Sequence, residues 1–228
     1  MSSTQSASQE LLPILENGDR LSQPEFERRY RWSPDVKKAE LIEGVVYVPS
    51  PVRARQHGRP HSLVMGWLMV YEANTPNIMV CDNTTMRLDL DSEPQPDALL
   101  RLEEEAGGRS RISEDDYIEG APELVVEIAA STASYDLHDK LRVYRRNGVR
   151  EYLVWVVGER EFRWYVLEDG EYRRQEADES GCLKSPFFPG LWLDVEPLLA
   201  GQMAPVLAKL QEGLASAEHR AFVEDLNG

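Results

Sequence analysis

The sequence predicts an α/β (α+β) protein with a central mixed β-sheet, flanked by helices and preceded by an N-terminal hairpin. Two observations support this class. A buried strand, a helix and a second buried strand follow one another over residues 122–157, which predicts a βαβ crossover and a parallel strand pair. Most of the other strands are separated by short turns, a pattern that favours antiparallel pairing. One sheet therefore contains both kinds of pairing.

The first third of the chain predicts two helices separated by a hairpin. The stretch SQPEFERRYRW indicates a short helix, with Ser22 as a possible N-cap and Pro24 in its first turn. In KAELIEGVVYVPSP, two short strands flank Glu43-Gly44, which is a hairpin signal. The stretch HSLVMGWLMVYEAN has the apolar period of an amphipathic helix that ends before Pro76.

The rest of the chain supplies most of the strands. NIMVCDN, TMRLDLDS and QPDALLRL are predicted strands, and an acidic loop follows them. PELVVEIAAS and REYLVWVV are predicted buried strands on either side of the helix DLHDKLRVYRRNG, which ends at Gly148. EFRWYVLEDGEYRRQE is a predicted hairpin that turns at Asp169-Gly170. Residues 202–226 predict a C-terminal helix with a break at Gly213.

Length and composition suit one domain of substantial size, since the chain has 228 residues and 42% of them are hydrophobic. We expect residues 1–20 to form a flexible N-terminus, residues 21–200 the domain, and residues 201–228 a helical extension. No apolar run reaches the ~18 residues of a membrane span. The N-terminus has no signal-peptide pattern, and the two cysteines suggest no disulfide framework. A cytoplasmic protein is therefore expected.

The net charge of −15 argues against a general attraction for nucleic acid or for an anionic membrane. A phosphate-bearing partner would need a local basic patch or a bridging metal cation. Two short stretches could form such a patch, RARQHGR at residues 53–59 and RVYRRNGVR at residues 142–150. If neither lies beside the acidic residues described next, a long duplex is an unsuitable substrate.

Glu127 is an ionisable residue in a strand that should be buried on both faces. An unpaired buried carboxylate costs several kcal/mol or changes its protonation state. Glu127 therefore needs a partner, either a cation of the fold or one recruited from solution. Asp97, at the start of a short apolar strand, could join Glu127 to bind a divalent cation such as Mg²⁺. Alternatively, Asp97 caps a turn and Glu127 pairs with an arginine.

Lys140 is a second candidate partner for Glu127. It lies on the apolar face of its helix, with Leu137, Leu141 and Tyr144, and lysine is rarely buried unless it is paired. The alternative is a lysine that extends to the edge of that face. Two carboxylates and a lysine could together hydrolyse a phosphodiester, with the metal activating a water and the lysine orienting it or stabilising the transition state.

These residues resemble the PD-(D/E)XK nuclease superfamily, and within it the Uma-two family of putative restriction endonucleases. The resemblance spans roughly residues 24–195 and rests on the order of several motifs: QPDALL, GAPELVVEIAAS, YDLHDKLRVYRRNGVREYLVWVV and the late PGL. It implies a restriction endonuclease-like core in a bacterial protein. It also implies Mg²⁺ or Mn²⁺ as cofactor, DNA as partner and a homodimer without a membrane partner.

The resemblance also implies a set of site residues. Asp97 and Glu127 would bind the metal, and Lys140 would complete the catalytic group. The early hairpin AELIEGVVYVPSP would bring Glu40 to the catalytic site as an additional acidic group at the metal, with His61 close by; alternatively, Glu40 is an exposed residue of an edge hairpin. We also expect His61 and Gln95 to contact the substrate. The superfamily's usual lysine position, two residues after the glutamate, holds Ala129, so the lysine is expected to have moved to the helix.

Three functions fit these observations. The first is a metal-dependent DNA endonuclease. The second is a non-catalytic protein of the same fold that serves as a metal- or nucleic-acid-binding partner subunit, which the acidic charge favours. The third is a hydrolase of a small phosphorylated molecule. Retention of Asp97, Glu127 and Lys140 together favours the enzyme, since an unpaired buried lysine or a carboxylate pair destabilises a fold.

Overall fold

The structure is a computed structural model that describes residues 13–49, 51–130 and 133–227. Its strands are β1 Glu40–Ile42, β2 Val45–Tyr47, β3 Ile78–Asp82, β4 Met86–Arg87, β5 Ala98–Leu102, β6 Arg111–Ile112, β7 Ile118–Glu119, β8 Leu124–Ala129, β9 Glu151–Val156, β10 Glu161–Glu168, β11 Glu171–Arg174, β12 Cys182–Lys184 and β13 Trp192–Asp194. Its helices are α1 Gln23–Arg31, α2 Arg59–Glu72, α3 Ala133–Tyr135, α4 Leu141–Arg146, α5 Val195–Leu199, α6 Met203–Leu214 and α7 Ala217–Asn227. A π-helical turn, Ala54–Gly58, precedes α2, and another, Asp136–Lys140, joins α3 to α4.

The central sheet has six strands in the order β11-β10-β9-β8-β5-β3. β8 and β9 pair in parallel, and every other neighbouring pair in this sheet is antiparallel. The mixed sheet and the βαβ crossover predicted from the sequence are therefore confirmed. The middle strands β5, β8 and β9 are buried along their whole length, which is why they read as continuous apolar runs.

Helices cover the sheet on both faces, and the two-residue period of the strands decides which side chains meet which helix. On one face, Val126 and Ile128 pack with Trp67 and Leu68 of α2, and α6 belongs to the same core. On the other face, Val125 and Ala129 pack with Tyr144 of α4. Glu127 has the parity of Val125 and Ala129, so its side chain is directed to the α4 side.

The predicted N-terminal hairpin, β1 and β2, is confirmed and has a small core of its own with α1. Leu41 of β1 exchanges two backbone hydrogen bonds with Glu93, with N–O distances of 2.7 and 3.1 Å. Glu93 lies in the segment that leads to β5, so this pairing holds the hairpin close to the central sheet. Glu40, next to Leu41, is thereby brought close to the start of β5.

Two sequence predictions need correction. TMRLDLDS does not form one strand: only Met86–Arg87 is extended, and a tight turn follows, in which the backbone N–H of Leu88 bonds Ser92. β4 pairs with β7, inside the segment predicted as an acidic loop, in a small sheet that also contains β6. The C-terminal helix is interrupted after Leu214, whereas Gly213 lies inside α6.

Among the described residues, no helix is both long and apolar enough to cross a membrane.

Gly213 is required because another segment approaches it, and substitution should show this. A Cβ on Gly213 would fall 2.8 Å from Cγ of Trp192 and would overlap the carbonyl group of Gly190. We expect Gly213→Ala to lower the free energy of unfolding by about 1–3 kcal/mol, because backbone atoms must move. Urea denaturation measures the change.

Gly66→Ala in α2 is the matched control. A Cβ there meets only Cε of Met203, at 3.5 Å, which is an ordinary contact. Because alanine favours a helix over glycine, this variant should gain about 0.5–1 kcal/mol. A stable Gly213→Ala variant would show that the approach of the Gly190 segment is adjustable.

Candidate active site

The buried carboxyl group of Glu127 finds its hydrogen-bond partners within the fold. Its Oε1 atom lies 2.8 Å from Nζ of Lys140 and accepts a second hydrogen bond of 2.8 Å from the hydroxyl of Tyr144. Glu127 is 4% exposed, Lys140 3% and Tyr144 is fully buried. Both donors reach the same oxygen because Lys140 and Tyr144 are four residues apart on one helical face. The predicted inward orientation of Lys140 is confirmed.

Lys140 also contacts two further carboxylates. Its Nζ lies 2.7 Å from Oε1 of Glu40 in β1 and 3.9 Å from Oδ1 of Asp136. The same oxygen of Glu40 accepts the backbone N–H of Gln95 at 2.7 Å. A single ammonium group therefore links the hairpin, the strand β8 and the helical segment after it.

Lys140 occupies the last position of the π-helical turn Asp136–Lys140. Such turns carry wider hydrogen bonds than an α-helix, and they occur often at functional sites. Asp136 lies within this turn and is 2% exposed. Because the helix α3 precedes it, Asp136 does not cap a helix N-terminus.

Asp97 lies beside this group on the neighbouring strand. Ala98 is paired with Val126, so the residue before Ala98 stands opposite Glu127. Asp97 is 5% exposed; its Oδ2 accepts the backbone N–H of Ile128 at 2.7 Å, and its Oδ1 lies 3.0 Å from Nε2 of His57. Burial raises the pKa of Asp97, but the bonds from His57 and Ile128 and the charge of Lys38 outweigh it and lower that pKa.

The carboxylates compete for little positive charge. Burial raises the pKa of Glu127 to about 8; the charge of Lys140 opposes this, and Asp136, Asp97 and Glu40 add to it. For Lys140, burial disfavours the ammonium, but Glu127, Glu40 and Asp136 prevail and raise its pKa well above the ordinary value. Lys140 is therefore charged at neutral pH.

Unsatisfied polar atoms border the cluster. Across the described residues, four buried side-chain atoms lack a hydrogen-bond partner, and three of them belong to His57 (Nδ1), Gln95 (Oε1) and Tyr135 (OH). His57 and Gln95 contact Asp97 and Glu40 as described above, and the Tyr135 ring lies 5.3 Å from Nζ of Lys140. Each such atom costs about 1–3 kcal/mol, so their grouping indicates a place for water, a cation or a substrate oxygen.

All six residues singled out from the sequence lie in or beside this cluster. Asp97, Glu127, Lys140 and Glu40 form its centre. The Nε2 atom of His61 lies 2.9 Å from the backbone oxygen of Asp97 and 3.0 Å from Oδ1 of Asp82. Gln95 borders the cluster through its backbone and donates from Nε2 to the backbone oxygen of Asn83 at 2.5 Å. What these residues do chemically stays a prediction.

Sequence reasoning missed His57 and the role of Tyr144. The signal for His57 is its spacing of four residues from His61, which places both on one helical face. Tyr144 was treated only as an apolar residue of the inward face. Its hydroxyl needs a partner once it is buried, and Glu127 supplies that partner.

The two basic stretches have different surroundings. Most cations of residues 142–150 form ion pairs within the protein: Arg142 and Arg146 both bond Glu43, and Arg145 bonds Glu171. Residues 53–59 lie beside the cluster, because they contain His57. One of the two basic stretches therefore lies beside the acidic cluster, as a nucleic-acid substrate requires.

The donor set suits a hard divalent cation. Asp97 and Glu127 are opposed carboxylates, and Mg²⁺ prefers one or two carboxylates with water completing its shell. The cluster has four buried carboxylates, Glu40, Asp97, Glu127 and Asp136, and its unsatisfied atoms are polar. Among the described residues, no three His, Cys, Asp or Glu side chains already form a metal-binding group. Lys140 and His57 instead bond one oxygen each of Glu127 and Asp97.

Comparison with known proteins identifies the class. The fold is similar to that of a crystal structure described as a putative nuclease belonging to DUF820, from Anabaena variabilis, which superposes with a TM-score of 0.55 at 16% identity, covering 72% of this chain and 90% of that one. Residues 23–196 match the family described as Uma2, a putative restriction endonuclease. The chain belongs to the Uma2 family. No curated protein matches it.

The raised pKa of Glu127 predicts how stability depends on pH. Between its ordinary value of 4.5 and about 8, the carboxyl is protonated when folded and ionised when unfolded. The folded state then binds more protons, so stability falls as pH rises through this window. Glu127→Gln should flatten that decline. Urea denaturation between pH 5 and pH 8.5 measures the slope, and an unchanged slope would contradict the assignment.

Removal of Lys140 should make the decline of stability with rising pH steeper. Lys140→Met leaves buried carboxylates without their ammonium, which costs about 3–5 kcal/mol. The loss should be larger at pH 8 than at pH 5, because protonation relieves the carboxylates. In a double-mutant cycle, Glu127→Gln should cost less in the Lys140→Met background than in the wild type. Additive effects would mean that the two side chains do not interact.

Proposed function

We propose that this protein is a metal-dependent endonuclease that hydrolyses phosphodiester bonds of DNA in the cytoplasm. The observation that carries the proposal is the convergence of Asp97, Glu127 and Lys140 from three elements into one buried cluster. Membership of the Uma2 family supports it. The unsatisfied atoms of His57, Gln95 and Tyr135 support it further, since they provide polar contacts for incoming oxygen atoms.

Asp97 and Glu127 would hold Mg²⁺ or Mn²⁺. When bound, such an ion neutralises phosphate charge and lowers the pKa of a coordinated water. Lys140 remains protonated, so it acts as a fixed positive charge that stabilises the transition state or orients the water. Glu40 positions Lys140 through its 2.7 Å ion pair. His61 and Gln95 would contact the substrate from the edge of the cluster.

A second candidate function is a non-catalytic partner subunit of the same fold. Two observations favour it: the net charge of −15, and the ion pair that already occupies an oxygen of Glu127. In this case Lys140 replaces the metal ion, and the cluster only stabilises the fold.

A homodimer is also part of the proposal, since cutting both strands calls for two active sites, and light scattering would measure its mass.

Plasmid cleavage with Mg²⁺ or Mn²⁺ tests the enzyme. We expect the wild type to cut and Asp97→Asn and Lys140→Met to lose about 10²-fold or more of the rate, because each removes a charge at the reacting phosphate. Cleavage that persists in both variants would place the activity elsewhere or in a contaminant. No cleavage by the wild type would favour the non-catalytic subunit.

Glu151→Gln is the matched control. Glu151 is fully buried on the neighbouring strand β9, but it bonds Trp164 and Ser185 on the other face of the sheet. This variant loses a buried carboxylate without touching the cluster, so its folded fraction should cut like the wild type. Isothermal titration with Mn²⁺ gives an independent readout, in which Asp97→Asn should weaken binding and Glu151→Gln should not.

A further inference from the structure

Three exposed arginines next to the cluster make no ion pair with any described residue. Most cations of this acidic chain are bound to carboxylates, as Arg142 and Arg146 illustrate. Arg53, Arg55 and Arg59 are exposed, and within the residues that the structure describes none of them lies within ion-pair distance of a carboxylate. Exposed guanidinium groups without a counter-charge are available for an external anion.

The turn at these arginines is joined to the carboxylate cluster. It is the π-helical turn Ala54–Gly58, which contains Arg55 and is flanked by Arg53 and Arg59, and the bond from Nε2 of His57 to Asp97 joins it directly to the site. The turn also packs against the turn Val157–Glu159. Arg160, which follows that turn, is exposed and also lacks an ion pair within the described chain.

Lys38 adds a cation that is linked to Asp97 through Asn83. Its Nζ donates to Oδ1 of Asn83 at 2.9 Å, and the backbone N–H of Asn83 bonds the backbone oxygen of Asp97 at 3.3 Å. Lys38 likewise makes no ion pair with a described carboxylate. We define the basic rim as the five cations carried by these segments, each of which is linked to Asp97 directly or through one neighbour: Lys38, Arg53, Arg55, Arg59 and Arg160.

We propose that the basic rim binds the phosphate backbone of a DNA strand and directs it to the cluster at Asp97. This inference rests on the proposed function and names the surface that the substrate uses. Guanidinium groups bind phosphate oxygens in a bidentate manner, and each contact releases counterions from the nucleic acid. Since the cations touch phosphate and not base edges, binding at the rim is independent of sequence.

The charge distribution sets the size of the contact. Five cations accommodate a few phosphates, whereas a net charge of −15 over the whole chain disfavours DNA elsewhere on the surface. Contact is therefore confined to a short stretch of backbone. This explains how so acidic a chain could still hold a nucleic acid.

The test is binding of a labelled DNA of about 12 nucleotides, as a single strand and as a duplex, measured by fluorescence anisotropy in EDTA over a range of salt concentrations. The variant is Arg55→Gln with Arg59→Gln. We expect weaker binding, and a slope of log affinity against log salt that is smaller by about 0.7–0.9 for each lost contact. Both residues are exposed, so thermal unfolding should match the wild type.

Arg220→Gln is the matched control. Arg220 is exposed and lacks an ion pair within the described residues, but it lies in α7, where the adjacent His219 bonds Thr75, beyond the far end of α2 from His57. This variant should bind DNA like the wild type, with the same salt slope. Equal losses in both variants would mean general electrostatics and would overturn the rim.

Plasmid cleavage by the same preparations separates this inference from the proposed function. If the wild type cuts, and the rim variant binds with unchanged affinity and slope, the rim is wrong and the nuclease stands. If binding depends on the rim but nothing is cut with either metal, the rim stands and the nuclease is wrong. If the wild type binds neither the single strand nor the duplex, the proposal that the basic rim binds DNA is also wrong.

Discussion

The fold depends on one buried ammonium group. Lys140 bonds Glu127 and Glu40 and approaches Asp136, so a single cation connects the hairpin, the central sheet and the crossover helix. Replacing such a cluster by apolar residues is often neutral or stabilising in proteins, whereas removing one member is costly. Burying these charged groups is costly, so their presence where three elements meet indicates a functional role for the cluster.

The position of the cluster follows from the parity of β8. Glu127 alternates with Val126 and Ile128, which pack against α2, so its side chain is directed towards α4. The antiparallel register with β5 then sets Asp97 opposite it. A shift of one residue in this register would send Glu127 into the core around Trp67, where it would find no cation. The register and the charge cluster therefore reinforce each other.

Ala129 gives a physical reason for the unusual placement of the lysine. It lies on the same strand face as Glu127, is fully buried and packs in the core with Tyr144. A long cationic side chain there would have to displace that core. The following helical segment supplies the lysine instead: Lys140 at the end of the π-helical turn and Tyr144 in α4 both bond Glu127.

The sequence by itself determined the class of fold, the crossover and the need of Glu127 for a partner. These are local properties, because apolar period, turn residues and an ionisable residue in a buried strand are all visible within about fifteen residues. It also indicated Lys140, since a lysine on an inward face needs a counter-charge. The family resemblance, not the spacing, indicated Glu40 and His61.

Only the tertiary structure decided which of the possible partners meet. Glu40 reaches Lys140 because Leu41 pairs with Glu93, a contact between segments about fifty residues apart that no local pattern contains. His57 bonds Asp97 from a turn on a different element, and the two basic stretches differ only in whether carboxylates surround them. The sequence gives the chemical type of each side chain. How the chain packs sets the distances between charges, and those distances determine their pKa values and their function.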